Sequence, residues 1–412
     1  MDKRRVVVTG LGVVSPVGNN VPDFWASIRA GKSGVGPITM INVEDMPVKI
    51  AGEVKGFDPG LRMDSKEAKK MDRFSQFAVY AAQEALEDSG LKNDSLNPER
   101  LGVCLGTGQG GSASIEEGAA RLYERGPGRV PPLTVIKVLP NIGAANVAIS
   151  LGATGPCQCI VTACAAGTDA IGTGLRWIQE GHADVVFAGG SEASITRLGV
   201  AGFSMIQALS TRNDEPERAS RPFDVDRDGF VIAEGCGVLV LEEYERAKAR
   251  GAKIYCELAG FGTTCDAHHL TAPDPEGRGA ARAMSLALKD AGMKPEDIDY
   301  VNAHGTSTPL NDPIETKAIK AAFGDHARKL MISSTKSMTG HCVGAAGGLE
   351  AIATVLAIRD QFVPPTINLD NPDPECDLDY VPHTGRSVPV RAAMKDSLGF
   401  GGQNAVVIFR KL

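Results

Sequence analysis

Short runs of Val, Ile and Leu recur along the chain, separated by longer stretches in which apolar residues return every three or four positions. The short runs at 6–8, 103–105, 185–188, 238–241, 300–303, 331–333 and 406–409 predict β-strands. Several are apolar throughout instead of alternating, the pattern of strands covered on both faces. The periodic stretches 74–89, 165–180, 279–291 and 345–359 predict helices. Alternation of the two kinds predicts an α/β architecture with mostly parallel sheets. Ahead of the first strand, MDKRR is a basic lead-in. The three valines after it are too few for the core of a signal peptide.

The order of elements repeats. AAQEALEDSGLKNDSLNPERLGVCLGTG (81–108) resembles AMSLALKDAGMKPEDIDYVNAHGTS (283–307): helix, glycine stop, polar turn, strand, small-residue turn. A second match follows at similar distance, AAGTDAI (165–171) and AAGGLEAI (345–352). These echoes predict a duplicated fold whose halves meet near 250–256, with 1–253 as the first half and 254–412 as the second; chance likeness between amphipathic helices is the rival explanation. A helix built from Ala, Gly, Thr and Ile shows no polar face to solvent and must be buried. Residue 164 starts one such helix and residue 341 precedes the other, so a pseudo-symmetric pair points both N-termini at a common site.

Composition narrows the class. The 412 residues are 43% apolar, ample for a large core, and carry a net charge of −7 from 43 basic and 50 acidic residues. That balance disfavours nucleic-acid binding, which needs a concentrated basic surface. No apolar run approaches the ~20 residues of a membrane span. The nine cysteines (104, 157, 159, 164, 236, 256, 265, 342 and 376) are odd in number and scattered. They predict free thiols in a reducing cytoplasm, and Cys157-x-Cys159 lacks a partner pair at zinc spacing.

Of these thiols, Cys164 has the most telling context. QCIVTA (158–163) reads as a strand ending at Cys164, and a helix begins directly after it. A nucleophile at a strand-to-helix turn is presented at the sheet edge. The helix N-terminus favours thiolate, predicting a lowered pKa, and offers N–H groups to an oxyanion. A buried structural cysteine is the bland alternative. His304 follows the strand-like DYVNA and His341 closes STKSMTGH, each read as lying at the C-terminal end of a strand, where α/β sheets place ligands. One histidine beside a cysteine suggests a base; two suggest hydrogen-bond donors to a carbonyl that gains negative charge. His182, His268, His269, His326 and His383 lie in polar segments and read as surface residues.

TACAAG around Cys164, NAHGTSTP around His304, STKSMTGH ending at His341, and GFGGQN (399–404) together resemble the β-ketoacyl-[acyl carrier protein] synthases, closest to the type II elongating enzymes. RRVVVTGLGVVSPVG at the N-terminus and two long later segments extend the likeness along nearly the whole chain. The resemblance implies a thiolase-like fold, two pseudo-symmetric halves with five-stranded mixed sheets and buried helices between them, assembled as a homodimer. It implies that Cys164 takes an acyl chain from an acyl carrier protein. His304 and His341 then bind the thioester carbonyl of a malonyl group on a second carrier and stabilise its enolate. Lys336 would support the site by charge, and Asp312 and Glu350 would organise Lys336 and nearby loops. The N–H groups of Cys164 and Phe400 would form the oxyanion hole, with the Phe400 ring gating the acyl pocket. Thr306, Thr308, Gln109 and Phe203 would bind substrate. No cofactor is implied, because the phosphopantetheine arrives on the carrier.

Several residues depart from that pattern. Ala165 follows Cys164 where Ser or Thr is usual, and Leu398 and Gln403 alter the glycine-rich gate segment. Gln109, in GTGQGG, is polar where the family lines its acyl pocket with an apolar residue. GTGQGG also lacks the register of a dinucleotide loop. Lys66, Lys69, Lys70 and Arg73 form a basic cluster, either a solvated face or the surface that meets the acidic carrier. Gln207 replaces an arginine often found in that contact. The rival functions are a polyketide ketosynthase with a dedicated carrier, a thiolase-like enzyme using coenzyme A, and a non-catalytic chain-length subunit. GFGGQN lacks the second cysteine a thiolase wants, and the subunit would lack Cys164.

Overall fold

The computed structural model describes residues 3–92 and 96–412. Residues 1–2 of the basic lead-in and 93–95 of the first polar turn lie outside the described residues. The apolar runs become strands longer than their valine-rich centres: β1 (Val6–Val14), β2 (Leu101–Gly106), β3 (Cys157–Ile160), β4 (Val185–Glu192) and β5 (Gly235–Glu243). The later part of the chain adds β6 (Cys256–Cys265), β7 (Tyr300–Asn302), β8 (Met331–Ser333), β9 (Ala392–Gly399) and β10 (Gln403–Arg410). β6 and β9 were not expected from sequence. Two glycines interrupt the first, and Lys395–Asp396 breaks the apolar run of the second.

All ten lie in one hydrogen-bonded sheet, in the order β8-β7-β9-β10-β6-β1-β5-β4-β2-β3. The first five run β3-β2-β4-β5-β1 inward from one edge, and the last five run β8-β7-β9-β10-β6 inward from the other. Within each set the inner pairs are antiparallel and the outer pairs parallel. The two sets join through a short pairing, Val7 with Glu257 and Val8 with Cys256. The sheet is therefore mixed, not mostly parallel. Continuous apolar strands report helices on both faces and say nothing of strand direction.

Four helices fix the layers. α1 (Arg73–Ser89) packs on β1 and β5, and α3 (Arg278–Ala291) packs on β6 and β10. Both sets use the same device to bring the helix close. A Cβ on Gly10 or Gly12 of β1 would lie 2.3 Å from the Ala85 carbonyl oxygen or 1.8 Å from that of Ala81. A Cβ on Gly260 or Gly262 of β6 would lie 2.4 Å from the Ala287 oxygen or 2.2 Å from that of Ala283. α2 (Ala166–Gln179) and α4 (Ala346–Asp360) each touch strands of both sets. Every residue of α4 from Ala346 to Ile358 is buried, as its composition requires. The two helices meet through glycine: a Cβ on Gly347 would lie 2.4 Å from the Thr168 nitrogen.

Candidate active site

β3 ends at Ile160, short of the expected 163, and Cys164 sits on a 3₁₀ turn, Ala163–Ala165, that leads into α2. Ala163 enters the turn at φ 49°. The Thr162 hydroxyl donates to Asp169 Oδ2 at 2.8 Å and ties the turn to the helix. The glycine-rich 399–402 segment abuts it, since a Cβ on Gly399 would lie 2.7 Å from the Thr162 oxygen. Cys164 is buried, at 8% exposure. Burial pushes its thiol up to about 11, while the Lys336 charge and the Phe400 N–H pull it down. The expected lowering of this pKa is thus reversed: desolvation outweighs the charges that favour thiolate.

His304 lies two residues beyond β7, as expected. His341 does not end a strand; it follows β8 by way of a one-turn helix, Lys336–Thr339. Its backbone is clamped to the first half of the chain, its N–H donating to the Val231 oxygen at 2.7 Å and its carbonyl accepting from the Ala233 N–H at 3.0 Å. The two imidazoles face each other edge to face, centroids 5.4 Å apart, and the Phe230 ring stands 5.1 Å from His341. Burial holds both histidines well below the usual imidazole range, with Lys336 next in effect, so both are neutral. The buried Nδ1 of His341 has no hydrogen-bond partner among the described residues.

Beneath the histidines lies a knot of buried charge. Lys336 Nζ donates to the His304 carbonyl at 2.6 Å, stands 3.4 Å from His304 Nδ1, and is bonded to Glu350 Oε1. With Lys336 against Nδ1, the His304 proton belongs on Nε2. Lys395, from β9, pairs with Glu350 Oε2 at 2.9 Å. Glu315 accepts the backbone N–H groups of His304 at 2.6 Å and Gly305 at 2.8 Å. Asp312 was expected to organise Lys336 but makes no bond to it. It accepts the Phe223 N–H at 2.9 Å and faces Arg227 at 3.7 Å, so it fixes the 223–227 loop. The motifs did not point to Glu315, Lys395, Phe230 or Asp266. For Glu315 a signal existed: it falls three residues after Asp312, on the same face of a helix.

Cys164, His304 and His341 open on one cavity of about 460 Å³, also lined by Gln109, Phe203, Thr306, Thr308, Leu398 and Phe400. The Thr306 and Thr308 hydroxyls are hydrogen-bonded at 2.9 Å. Gln403 is not among the residues that line this cavity. A second cavity of about 440 Å³ is lined by Ser112, Ile115 and Leu198, and shares Gln109, Phe203, Ile206 and Phe400 with the first. Phe400 thus stands on the boundary of the two. Its loop turns through Gly401 (φ 88°) and Gly402 (φ 76°), a conformation that favours glycine. Asp266 anchors that loop, accepting Asn404 Nδ2 at 2.7 Å and donating its N–H to the Gly402 oxygen at 2.8 Å. Below the Gln109 loop, buried Glu192 accepts the N–H groups of Gly108 at 2.5 Å and Gly344 at 3.0 Å.

Lys66, Lys69 and Lys70 are exposed, as a docking surface requires. Arg73 is not free to join them, because both oxygens of buried Glu234 hold its guanidinium at 2.7 and 2.8 Å. His326 is half-buried and hydrogen-bonded to the Ile298 oxygen at 2.9 Å, so it is not the surface residue expected. No helix among the described residues is long and apolar enough to cross a membrane.

A buried cysteine at a strand-to-helix turn, with two imidazoles over a buried Lys–Glu pair, on one ten-stranded sheet built from two like halves, marks a condensing enzyme of thiolase-like fold. The family models agree: residues 3–247 match the N-terminal domain of beta-ketoacyl synthases and 255–370 the C-terminal domain. The chain belongs to the beta-ketoacyl synthase family. It is 54% identical to the 3-oxoacyl-[acyl-carrier-protein] synthase 2 of Synechocystis sp., over 100% of this chain and 99% of that one. It is 51% identical to the protein of the same name from Coxiella burnetii, over the full length of both. Among solved structures it is similar to AntDE:AntF, a type II PKS acyl-carrier protein in complex with its ketosynthase bound to the hexaketide. That match has a TM-score of 0.93 at 40% identity and covers 100% of both chains. A beta-ketoacyl synthase from Burkholderia phymatum superposes with a TM-score of 0.92 at 36% identity, over 99% of this chain and 100% of that one.

Proposed function

We propose that the protein extends acyl chains by two carbons in a decarboxylative condensation between an acyl group on Cys164 and a malonyl group on an acyl carrier protein, as a 3-oxoacyl-[acyl carrier protein] synthase II. The observation that carries this is the opening of one buried thiol and two neutral imidazoles onto a single cavity. In the first step the Cys164 sulfur attacks the acyl thioester carbonyl, and the N–H groups of Cys164 and Phe400 stabilise the oxyanion. The carrier leaves as a thiolate and takes up the thiol proton. In the second, the malonyl thioester oxygen accepts hydrogen bonds from His304 and His341. The bond to the carboxylate breaks, carbon dioxide leaves, and the electron pair forms the enolate. The enolate carbon attacks the acyl-Cys164 carbonyl, and the carbon–sulfur bond breaks to return the Cys164 thiolate, which takes a proton from solvent. Neutral donors suit this step: they gain strength as charge reaches the oxygen, whereas cationic ones would stabilise the carboxylate that must be lost.

Thr306 and Thr308 hold the pantetheine arm, so the chain needs no cofactor of its own. Phe400 gates the second cavity, which takes the acyl chain, and Gln109 and Phe203 shape its entrance. Lys66, Lys69 and Lys70 meet the carrier. Residues 1–253 supply the nucleophile and 254–412 the histidines. A homodimer is supported by the open edge strand β3 and by exposed Ile149 (79%) and Val161 (51%) beside it. Nine free thiols suit a reducing cytoplasm. Relatives named 3-oxoacyl-[acyl-carrier-protein] synthase 2 share more identity than the type II PKS ketosynthase does, which favours fatty-acid elongation over the polyketide reading. The test is incubation with acyl- and malonyl-carrier protein. A 3-oxoacyl product two carbons longer is expected; unchanged acyl-carrier would refute the proposal.

A further inference from the structure

Lys395 is one of the largest fully buried side chains of the protein, and the condensation scheme gives it no part. It lies in the middle of β9, opposite Asn302 of β7 and Val407 of β10. Its ammonium faces α4, where it pairs with Glu350 Oε2, the oxygen not used by Lys336. The next residue, Asp396, is also fully buried and faces the other way across the sheet. There it acts on Glu315, the carboxyl that cradles the backbone of His304, which burial and the Asp396 charge hold well above the usual carboxylate range. Two carboxyl groups in such contact keep one proton between them. The buried set therefore holds two ammonium charges, one carboxylate charge on Glu350 and one shared by Asp396 and Glu315. It is neutral only if Lys395 is counted.

We propose that Lys395 is the site's internal counter-cation, a positioning residue whose ammonium leaves no excess negative charge beneath His304 and His341. The titratable groups that act on His304 are Lys336, His341 and Lys395, and those that act on His341 are Lys336 and Lys395. Of the other ionisable groups nearby, Cys164 shares the cavity as a thiol and Asp312 faces Arg227. With Lys395 removed, the net charge under the imidazoles becomes negative. They take up protons at higher pH, and His304 Nδ1 then meets the Lys336 ammonium as a cation. The proposal rests on the condensation reading for its consequence in catalysis, but not for the charge state it assigns.

The test is Lys395→Met, which keeps the length of the side chain and removes its charge. Carbon dioxide release from malonyl-carrier protein is followed against pH in the full chain. The acid limb of the profile is expected to move up by about one unit or more, with the rate above it largely retained. Lys395→Ala supplied with ethylammonium should move the limb back. A wild-type profile, or a uniform loss at every pH, overturns the proposal. Should neither variant fold, nitrogen-15 spectra of the wild-type histidines decide. His304 and His341 are expected to stay neutral well below the ordinary imidazole range, and titration within that range overturns the proposal. A wild type that forms no extended product would sink the condensation reading while leaving this spectrum to judge Lys395.

Discussion

Two turns of this protein have nearly the same backbone and different chemistry. Ala163–Ala165 and Val343–Ala345 are both 3₁₀ turns, and each runs straight into a buried helix. Each is entered by a non-glycine residue in the left-handed region, Ala163 at φ 49° and Val343 at φ 45°. Strain of this kind costs on the order of 1–3 kcal/mol and persists where the surroundings enforce it. At the middle position the first turn has Cys164 and the second has Gly344. A Cβ on Gly344 would lie 2.4 Å from the Gly108 nitrogen, so this turn has room for no side chain. Its N–H instead binds Glu192. The small-residue packing between α2 and α4 thus builds one frame twice. The second half then adds what the first lacks: His304, His341 and the Lys336–Glu350–Lys395 chain.

If frame and chemistry are separable, substitutions should divide between them. Lys336→Met strikes both. It leaves Glu350 and Lys395 with a broken buried network, and a loss of about 3–5 kcal/mol in denaturant stability is expected along with condensation. Stability within a few tenths of wild type would show that the chain of charges is not structural. His341→Ala strikes chemistry alone. If the lost donor serves the malonyl group, as proposed, condensation should fall about 10²–10³-fold while acyl loading of Cys164 continues. An equal fall in both steps would assign His341 to the thiol instead. Gly344→Ala strikes the frame. Overpacking should cost about 1–3 kcal/mol, read as a lower denaturation midpoint; an unchanged midpoint would mean the close approach at Gly108 is not enforced. Lys66→Glu with Lys69→Glu touches neither. It should raise the KM for carrier-bound substrate by an amount worth less than about 1 kcal/mol per charge, and added salt should erase the difference. A KM that ignores both charge and salt would remove this surface from docking.

The sequence carried the parts of this picture that depend on local pattern. The glycine- and alanine-rich stretches at 165–171 and 345–352 announced buried helices, and Cys164, His304 and His341 stood out by their flanking turns. The parts it hid depend on contacts between distant elements. β9 was obscured by Lys395 and Asp396, residues that only a partner on α4 and a partner on the 311–323 helix allow inside a sheet. Arg73 looked like one of a basic group until Glu234, 161 residues away, was seen to hold it. The Cys164 thiol was expected to be acidic from its helix start alone. The burial that reverses this comes from the second half of the chain folding over it. Strand direction was likewise invisible, because helices cover parallel and antiparallel strands alike.

The division of labour between the two turns is tested most directly by locating the acyl group. The protein is incubated with acyl-carrier protein alone, digested, and its cysteine peptides weighed. A second portion is chased with malonyl-carrier protein before digestion. The account predicts that the peptide containing Cys164 gains the mass of the acyl group and loses it on the chase, as a product two carbons longer is released. Acylation of another cysteine, or an acyl-Cys164 that malonyl-carrier protein leaves untouched, would contradict it.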